Sequence, residues 1–191
     1  MARLRPTLVA VLSTALVLAG CGNDRPEAGN APATTTPSSQ ASDDAPASAT
    51  TDTVVQPPVP EQLDFTAQTV DGTEFAGASL AGKPALLWFW APWCPKCQAE
   101  APTIAEAVRG AGDVAFVGIA AQDEVPAMRD FVARFDLGSF PHVADTDAAV
   151  WRRFGVTYQP AYAFVSSSGD IQVETKQLDK DELLARVDAL S

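Results

Sequence analysis

The chain has 191 residues, with 13 basic and 24 acidic side chains and a formal net charge of −11. That length allows one domain with sequence to spare, and the acidic balance argues against nucleic acid as a partner. Its 3 cysteines are too few for a disulfide-stapled scaffold.

Arg3 and Arg5 precede an apolar run from Leu8 to Leu18. The run is short for a bilayer span but fits the h-region of a signal peptide. It ends in Leu18-Ala19-Gly20-Cys21, which resembles a bacterial lipobox, where cleavage falls just before the cysteine and the cysteine carries lipid. We expect residues 1–20 to be a signal peptide and Cys21 to be the lipidated first residue of an extracytoplasmic protein held on the cell membrane. Removing residues 1–20 takes away two bases and no acid, so the net charge becomes −13. Nothing after residue 20 is apolar for long enough to form a second span. Residues 22 to about 60 are mostly Ala, Thr, Ser, Pro and Asp, with no aromatic residue. Such a segment cannot bury enough apolar surface to offset its ordering entropy. We read 21–60 as the lipidated cysteine and a disordered tether. Every aromatic residue lies at Phe65 or later, which places the folded domain over 61–191.

Within that domain, Leu63 to Thr69 reads as a strand, Asp71-Gly72 as a hairpin turn and Thr73 to Phe75 as the return strand. Gly77 to Lys83 reads as an irregular turn. Pro84 to Trp90 is almost wholly apolar, as suits a strand buried on both faces. The next segment, about Pro95 to Arg109, has Ala101, Ile104, Ala105 and Val108 at helical spacing and stops at Gly110. Pro102 is expected to kink it. Val114 to Ala121 reads as a second buried strand. A helix opened by Pro126 carries Met128, Phe131, Val132 and Phe135 on one face. A short strand near Val143, a helix from Asp147 to Phe154 closed by Gly155, and a hairpin of 161–165 and 171–174 follow. Asp179 and Glu182 cap a final helix lined by Leu183, Val187 and Leu190. Strands alternating with helices predict an α/β fold with a partly parallel sheet.

The chemistry concentrates in Trp93-Cys94-Pro95-Lys96-Cys97. This segment follows a buried strand and opens a helix. Helix N-termini present unpaired N–H groups and a partial positive charge, which stabilise a thiolate. The two-residue spacer lets the second thiol reach the first, and Lys96 adds a nearby cation. In that context Cys-x-x-C is a strong redox signal.

At this point the sequence resembles a known family. The segments Leu80-Ala81-Gly82-Lys83-Pro84, Trp88-Phe89-Trp90-Ala91-Pro92-Trp93-Cys94 and Cys97-Gln98-Ala99-Glu100-Ala101-Pro102 look like the extracytoplasmic thioredoxins of the TlpA, ResA and DsbE type. The likeness is strongest to the actinobacterial secreted and lipoprotein forms called DsbE and DsbF. It covers Phe65 to the C-terminus and includes Gly155-Val156-Thr157-Tyr158-Gln159-Pro160, which is similar to the family's cis-proline loop. The resemblance implies a thioredoxin fold with an N-terminal β-hairpin extension and a central insertion. It implies that Cys94 is the exposed nucleophile, Cys97 the buried resolving thiol, and that Pro160 packs beside them. Trp93, Pro95 and Gln159 would line the substrate groove. Glu100 stands where relatives place an acid near the dithiol; the competing reading is a surface helix residue. Trp88 aligns with the buried aspartate of cytoplasmic thioredoxins, a departure that removes one carboxylate.

Other readings fit less well. A zinc site needs more ligands than Cys94, Cys97 and the single His142 supply, and His142 itself reads as structural. A purely structural disulfide here closes too small a loop to stabilise much. Trp88, Phe89 and Trp90 read as core. The Pro-x-x-x-Thr-x-x pattern of peroxiredoxins is missing before Cys94, and copper carriers of the Sco type use a three-residue spacer. The expected activity is therefore thiol–disulfide exchange with exported cysteine-containing proteins, recycled by a membrane partner and needing no cofactor. The resemblance leaves two directions. The actinobacterial forms are oxidants, and the TlpA and ResA forms are reductants, for example of apocytochrome c. The spacer Pro95-Lys96 is neither the Gly-Pro of reducing thioredoxins nor the Pro-His of strong oxidants, though it shares its first proline with the latter. Because the helix N-terminus and Lys96 both favour a thiolate at Cys94, a net oxidant is expected.

Overall fold

The structure is a computed structural model and describes residues 57–190. The expected signal peptide, Cys21 and all but the last four residues of the expected tether lie outside the described residues. Pro57 lies where a side chain on Gly82 would meet its Cγ at 2.6 Å, and the Pro60 carbonyl accepts from Leu63 N at 2.9 Å.

A 3₁₀ turn (Glu61–Leu63) leads into a hairpin of β1 (Thr66–Gln68) and β2 (Glu74–Ala76), and a second 3₁₀ turn (Gly77–Leu80) follows. Leu63 is thus in a turn and not in the strand expected from 63 to 69. It is fully buried there, so its apolar character reflects packing and not strand pairing. The rest is β3 (Ala85–Trp90), α1 (Pro95–Gly110), β4 (Ala115–Ala120), α2 (Val125–Arg134), β5 (His142–Ala144), α3 (Ala149–Arg153), β6 (Ala161–Val165), β7 (Ile171–Glu174) and α4 (Lys180–Asp188). Helix α1 is continuous through Pro102. Asp179 caps α4 by accepting from Glu182 N at 2.8 Å, as expected.

The five-stranded sheet has the order β5-β4-β3-β6-β7. Strands β3, β4 and β5 run parallel, while β6 and β7 form an antiparallel edge. This is a thioredoxin-like fold, with α2 and β5 as the insertion. The N-terminal hairpin joins the sheet beyond β5 through Val70 N to His142 O at 2.7 Å, and Arg129 of α2 secures it by donating to the Val70 carbonyl.

Strand β3 explains the two cores. Its side chains alternate between faces, and all six residues are fully buried. Leu86, Trp88 and Trp90 point into a cluster with Ile104 of α1, Phe131 of α2 and Leu183 of α4. Leu87 and Phe89 point to the other side, against Trp151 of α3 and Phe154 just after it. The near-continuous apolar run of β3 is therefore needed by both layers at once. The C-terminal end of β3 is fixed in space from both sides, and the Cys-x-x-C turn grows from it.

Candidate active site

The turn that presents the dithiol is held by its own backbone. Cys94 N donates to Ala91 O at 3.1 Å, and Gln98 N donates to Cys94 O at 3.0 Å. The Gln98 side chain donates back to Pro92 O at 3.0 Å. Cys94 is the N-cap of α1 and Pro95 occupies its first turn, where proline is well tolerated. The Cys94 sulfur takes the role usually filled by a serine or aspartate oxygen: it accepts from Cys97 N at 3.4 Å. Charge on that sulfur would face the positive end of a 16-residue helix.

Both cysteines are free thiols. Cys94 is 5 % exposed and Cys97 is 0 % exposed. Cys94 is therefore buried and not the exposed thiol that was expected, because the turn folds its sulfur back against the helix end. Burial pushes the Cys97 thiol well up, and the neighbouring Cys94 and Glu100 add to this against a hydrogen bond from the Ala91 backbone.

Glu100 corrects the competing expectation. It is not a surface residue; it is 5 % exposed, one turn below Cys97. Its carboxylate accepts from Trp88 Nε1 at 2.9 Å on one oxygen and from the Tyr162 hydroxyl on the other. Burial raises the carboxyl above its ordinary range, while the Tyr162 and Trp88 hydrogen bonds pull it back down. Tyr162 is itself pushed up by burial and by the Glu100 charge, so it is a neutral donor. The position that lacks the thioredoxin aspartate thus carries an indole whose N–H holds another carboxylate in the same core. Trp88, Phe89 and Trp90 are core residues as expected, but Trp88 also has this polar partner.

Around the dithiol the remaining candidates take separate places. Pro95 and Lys96 are exposed. The Lys96 ammonium lies 5.7 Å over the centre of the Tyr158 ring, so it is turned toward the loop that precedes Pro160. That contact brings the Cys-x-x-C spacer and the proline loop together. Gln159 and Pro160 are buried, and the bond between them is cis. Trp93 is 52 % and Tyr158 57 % exposed. The Trp93 indole donates to Gln122 O at 3.0 Å, tying the site to the loop after β4. Tyr158, Tyr162 and Gln122 were not singled out in the sequence. His142 is buried with Nε2 bonded to Leu137 O at 3.0 Å, remote from this arrangement in role. Among the described residues no three His, Cys, Asp or Glu side chains converge as a metal would need. No helix among them is long and apolar enough to cross a membrane.

The comparisons with known proteins agree with this geometry. The redoxin family model matches residues 40–188. The soluble secreted antigen MPT53 of Mycobacterium tuberculosis is 45 % identical over 134 residues, covering 69 % of this chain and 77 % of the relative. The thiol:disulfide interchange protein DsbE of Pseudomonas fluorescens biotype C is 32 % identical over 133 residues, covering 66 % and 73 %. Among solved structures, MTB DsbF in its mixed oxidized and reduced forms is 52 % identical with a TM-score of 0.69, covering 70 % of this chain and all of that one. A secreted M. tuberculosis disulfide oxidoreductase homologous to E. coli DsbE is 44 % identical with a TM-score of 0.66, covering 69 % and 100 %. The chain belongs to the redoxin family and, within it, to the thioredoxin-fold thiol–disulfide oxidoreductases of the DsbE and ResA type.

Proposed function

We propose that this protein is an extracytoplasmic, lipid-anchored oxidant that makes disulfides in exported proteins through Cys94 and Cys97. The observation that carries the reading is the placement of the two sulfurs: Cys94 caps a long helix and accepts the Cys97 N–H, while Cys97 is sealed above the Glu100 carboxyl. A substrate thiolate attacks the Cys94 sulfur of the Cys94–Cys97 disulfide. Cys97 leaves and takes a proton from Glu100, and a mixed disulfide remains on Cys94. A second substrate thiolate then attacks the substrate sulfur of that bond. The substrate disulfide forms, and Cys94 leaves as a sulfur stabilised by the helix N-terminus. Two electrons pass from substrate to protein, and a membrane redox partner removes them. Trp93, exposed beside the dithiol, Pro95, and Gln159 with Pro160 line the substrate groove. Lys96 borders it.

The anchor belongs to the same proposal: residues 1–20 are removed, Cys21 is lipidated, and the segment to about residue 60 spaces the domain from the membrane. Mass spectrometry of the membrane fraction tests it through a diacylglyceryl mass on Cys21. A Cys21→Ala protein with unchanged processing and membrane association contradicts it. For the chemistry, the oxidised chain is incubated with a reduced, unfolded, disulfide-requiring protein. Recovery of that protein's activity is expected, and Cys94→Ser abolishes it.

A further inference from the structure

Trp88 and Tyr162 occupy matched positions on neighbouring antiparallel strands. Both side chains therefore project from the same face of the sheet, the one that α1 covers. Glu100 enters that face from α1, and its two oxygens meet the two donors separately. All three side chains are at least 95 % buried. The titratable groups facing Glu100 are Cys97 from its own helix and Tyr162 from β6. Trp88 from β3 faces it as an uncharged donor.

The arrangement suits one charge state better than the other. As a carboxylate, Glu100 accepts from both donors. Once protonated, its own O–H needs an acceptor. The Tyr162 oxygen can serve only if the tyrosine hydroxyl turns away, and that oxygen already receives Leu178 N at 3.4 Å. Trp88 Nε1 can only donate. The clamp therefore opposes burial, which favours the protonated form. A group that must take and return one proton works best when neither form dominates.

We propose that Tyr162, together with its cross-strand neighbour Trp88, is a positioning residue that keeps Glu100 oriented and available as a carboxylate beside Cys97. This rests on the reading that Glu100 exchanges a proton with Cys97. In the reducing half-reaction Cys97–SH gives its proton to Glu100. The Cys97 sulfur then attacks Cys94 in the mixed disulfide, the Cys94–substrate bond breaks, and the Cys94–Cys97 bond forms. The dithiol loses two electrons and the leaving thiolate carries them. The oxidising direction returns the same proton.

The experiment uses the full reduced chain and Ellman's reagent, whose chromophore is released twice. The first release reports attack by Cys94, and the second reports attack by Cys97 on the mixed disulfide. Stopped-flow traces across pH give each rate. In the parent, the second rate falls on the acid side as Glu100 is protonated. Tyr162→Phe is expected to move that acid limb upward by roughly one pH unit, about tenfold slower at a fixed acidic pH. The first release should be unchanged. Glu100→Gln should slow the second release and remove the plateau that the carboxylate base gives, leaving a rate that rises steadily with pH as Cys97 itself ionises. Tyr162→Phe placed on Glu100→Gln should then add no further shift. Trp88→Phe, which removes the other donor, should shift the limb in the same direction and serves if Tyr162→Phe does not fold. A parent-like profile in Tyr162→Phe or Trp88→Phe, with Glu100→Gln still removing the plateau, overturns the clamp and leaves the Glu100 reading standing. A parent-like inflection and plateau that survive Glu100→Gln overturn both.

Discussion

Trp88 and Tyr162 are register partners across β3 and β6, and their two donors converge on the two oxygens of the Glu100 carboxylate. Neither residue carries charge, and both are fully buried. The pair lets a carboxyl group sit inside an aromatic core one turn from a buried thiol. An unpaired buried carboxylate costs far more than one held by two donors. The core thus holds a carboxyl group by two neutral donors.

The first prediction concerns the unequal thiols. Cys94 has the residual exposure and the helix-end position, whereas Cys97 has no exposure and is pushed up by burial. Brief alkylation with iodoacetamide, followed by peptide mass spectrometry, should label Cys94 at least tenfold faster than Cys97, on the order expected when reactivity follows thiolate fraction and access. Cys97→Ser should accumulate mixed disulfides with substrate, because nothing resolves them. Cys94→Ser should accumulate few. Equal labelling of both cysteines contradicts the assignment.

A second prediction tests how tightly β4 and β5 are fitted. Gly118 pairs with His142 across these strands. A side chain built on Gly118 would meet His142 Nδ1 at 2.1 Å and Trp90 Nε1 at 2.8 Å. Both neighbours are buried rings with no room to swing outward. Gly118→Ala should therefore destabilise the domain by about 3 kcal/mol, the upper part of the range for overpacked cores. Urea denaturation measures it. A loss below about 0.5 kcal/mol, ordinary for surface substitutions, refutes the close fit.

Much of this site is legible in the sequence, and what is not has identifiable causes. The run Ala85-Leu86-Leu87-Trp88-Phe89-Trp90, ending before Cys94-Pro95-Lys96-Cys97, marks both the central strand and the dithiol. Leu63 misleads because an isolated apolar residue before a turn pattern looks the same whether it pairs or simply packs. Glu100 is ambiguous because a helix pattern read from Ala101, Ile104, Ala105 and Val108 leaves it out. The buried stripe is instead Cys97, Glu100, Ala101, Ile104 and Ala107. Starting the count at a buried Cys97 places Glu100 three residues on, inside the stripe. Its donors come from β3 and β6, 12 and 62 residues away in the chain. No local pattern reports such a meeting; only the strand register brings Trp88 and Tyr162 side by side. Lys96 illustrates the reverse. Its charge is plain in the sequence, but its direction toward Tyr158 depends on how the proline loop folds back.

The third prediction uses His142. Burial lowers its pKa from 6.5 to about 4, against the opposing pulls of the Leu137 carbonyl and Asp71. Between those two values the unfolded chain binds a proton that the folded chain does not. Stability contributed by neutral His142 is therefore fully present above about pH 6.5 and is lost as the pH falls toward 4. The full difference is about 3 kcal/mol. Glu100 and Asp145 are raised by burial, so their contributions run the other way, being present at low pH and lost as pH rises. Comparing His142→Gln with the parent isolates the histidine. Urea denaturation at stepped pH should show a parent-specific loss of stability on acidification through this window. Parallel curves for the two proteins contradict the prediction.

The last prediction is the direction of the chemistry, and it follows from which redox state the site stabilises. In the reduced state the Cys94 sulfur faces the N-terminus of α1 and accepts the Cys97 N–H. Negative charge there is favoured by the helix dipole. A disulfide sulfur carries no such charge, so this term favours the reduced form and makes the oxidised form the stronger oxidant. Lys96 adds little, because an exposed ammonium is well screened and this one is turned toward Tyr158. Burial of Cys97 above Glu100 acts differently. It keeps the second thiol protonated at rest. The potential of the Cys94–Cys97 couple is therefore expected above the thioredoxin value of about −270 mV and below the DsbA value of about −120 mV. Every 30 mV in that interval corresponds to about 1.4 kcal/mol of preference for the reduced form. Equilibration with glutathione buffers, with the two states separated by alkylation and mass spectrometry, gives the number. Lys96→Ala should shift it by less than about 15 mV, since the exposed charge contributes under about 0.7 kcal/mol. A potential below about −270 mV, together with ready reduction of insulin and no oxidation of a reduced unfolded protein, moves the assignment to a reductase of exported thiols such as those of apocytochrome c.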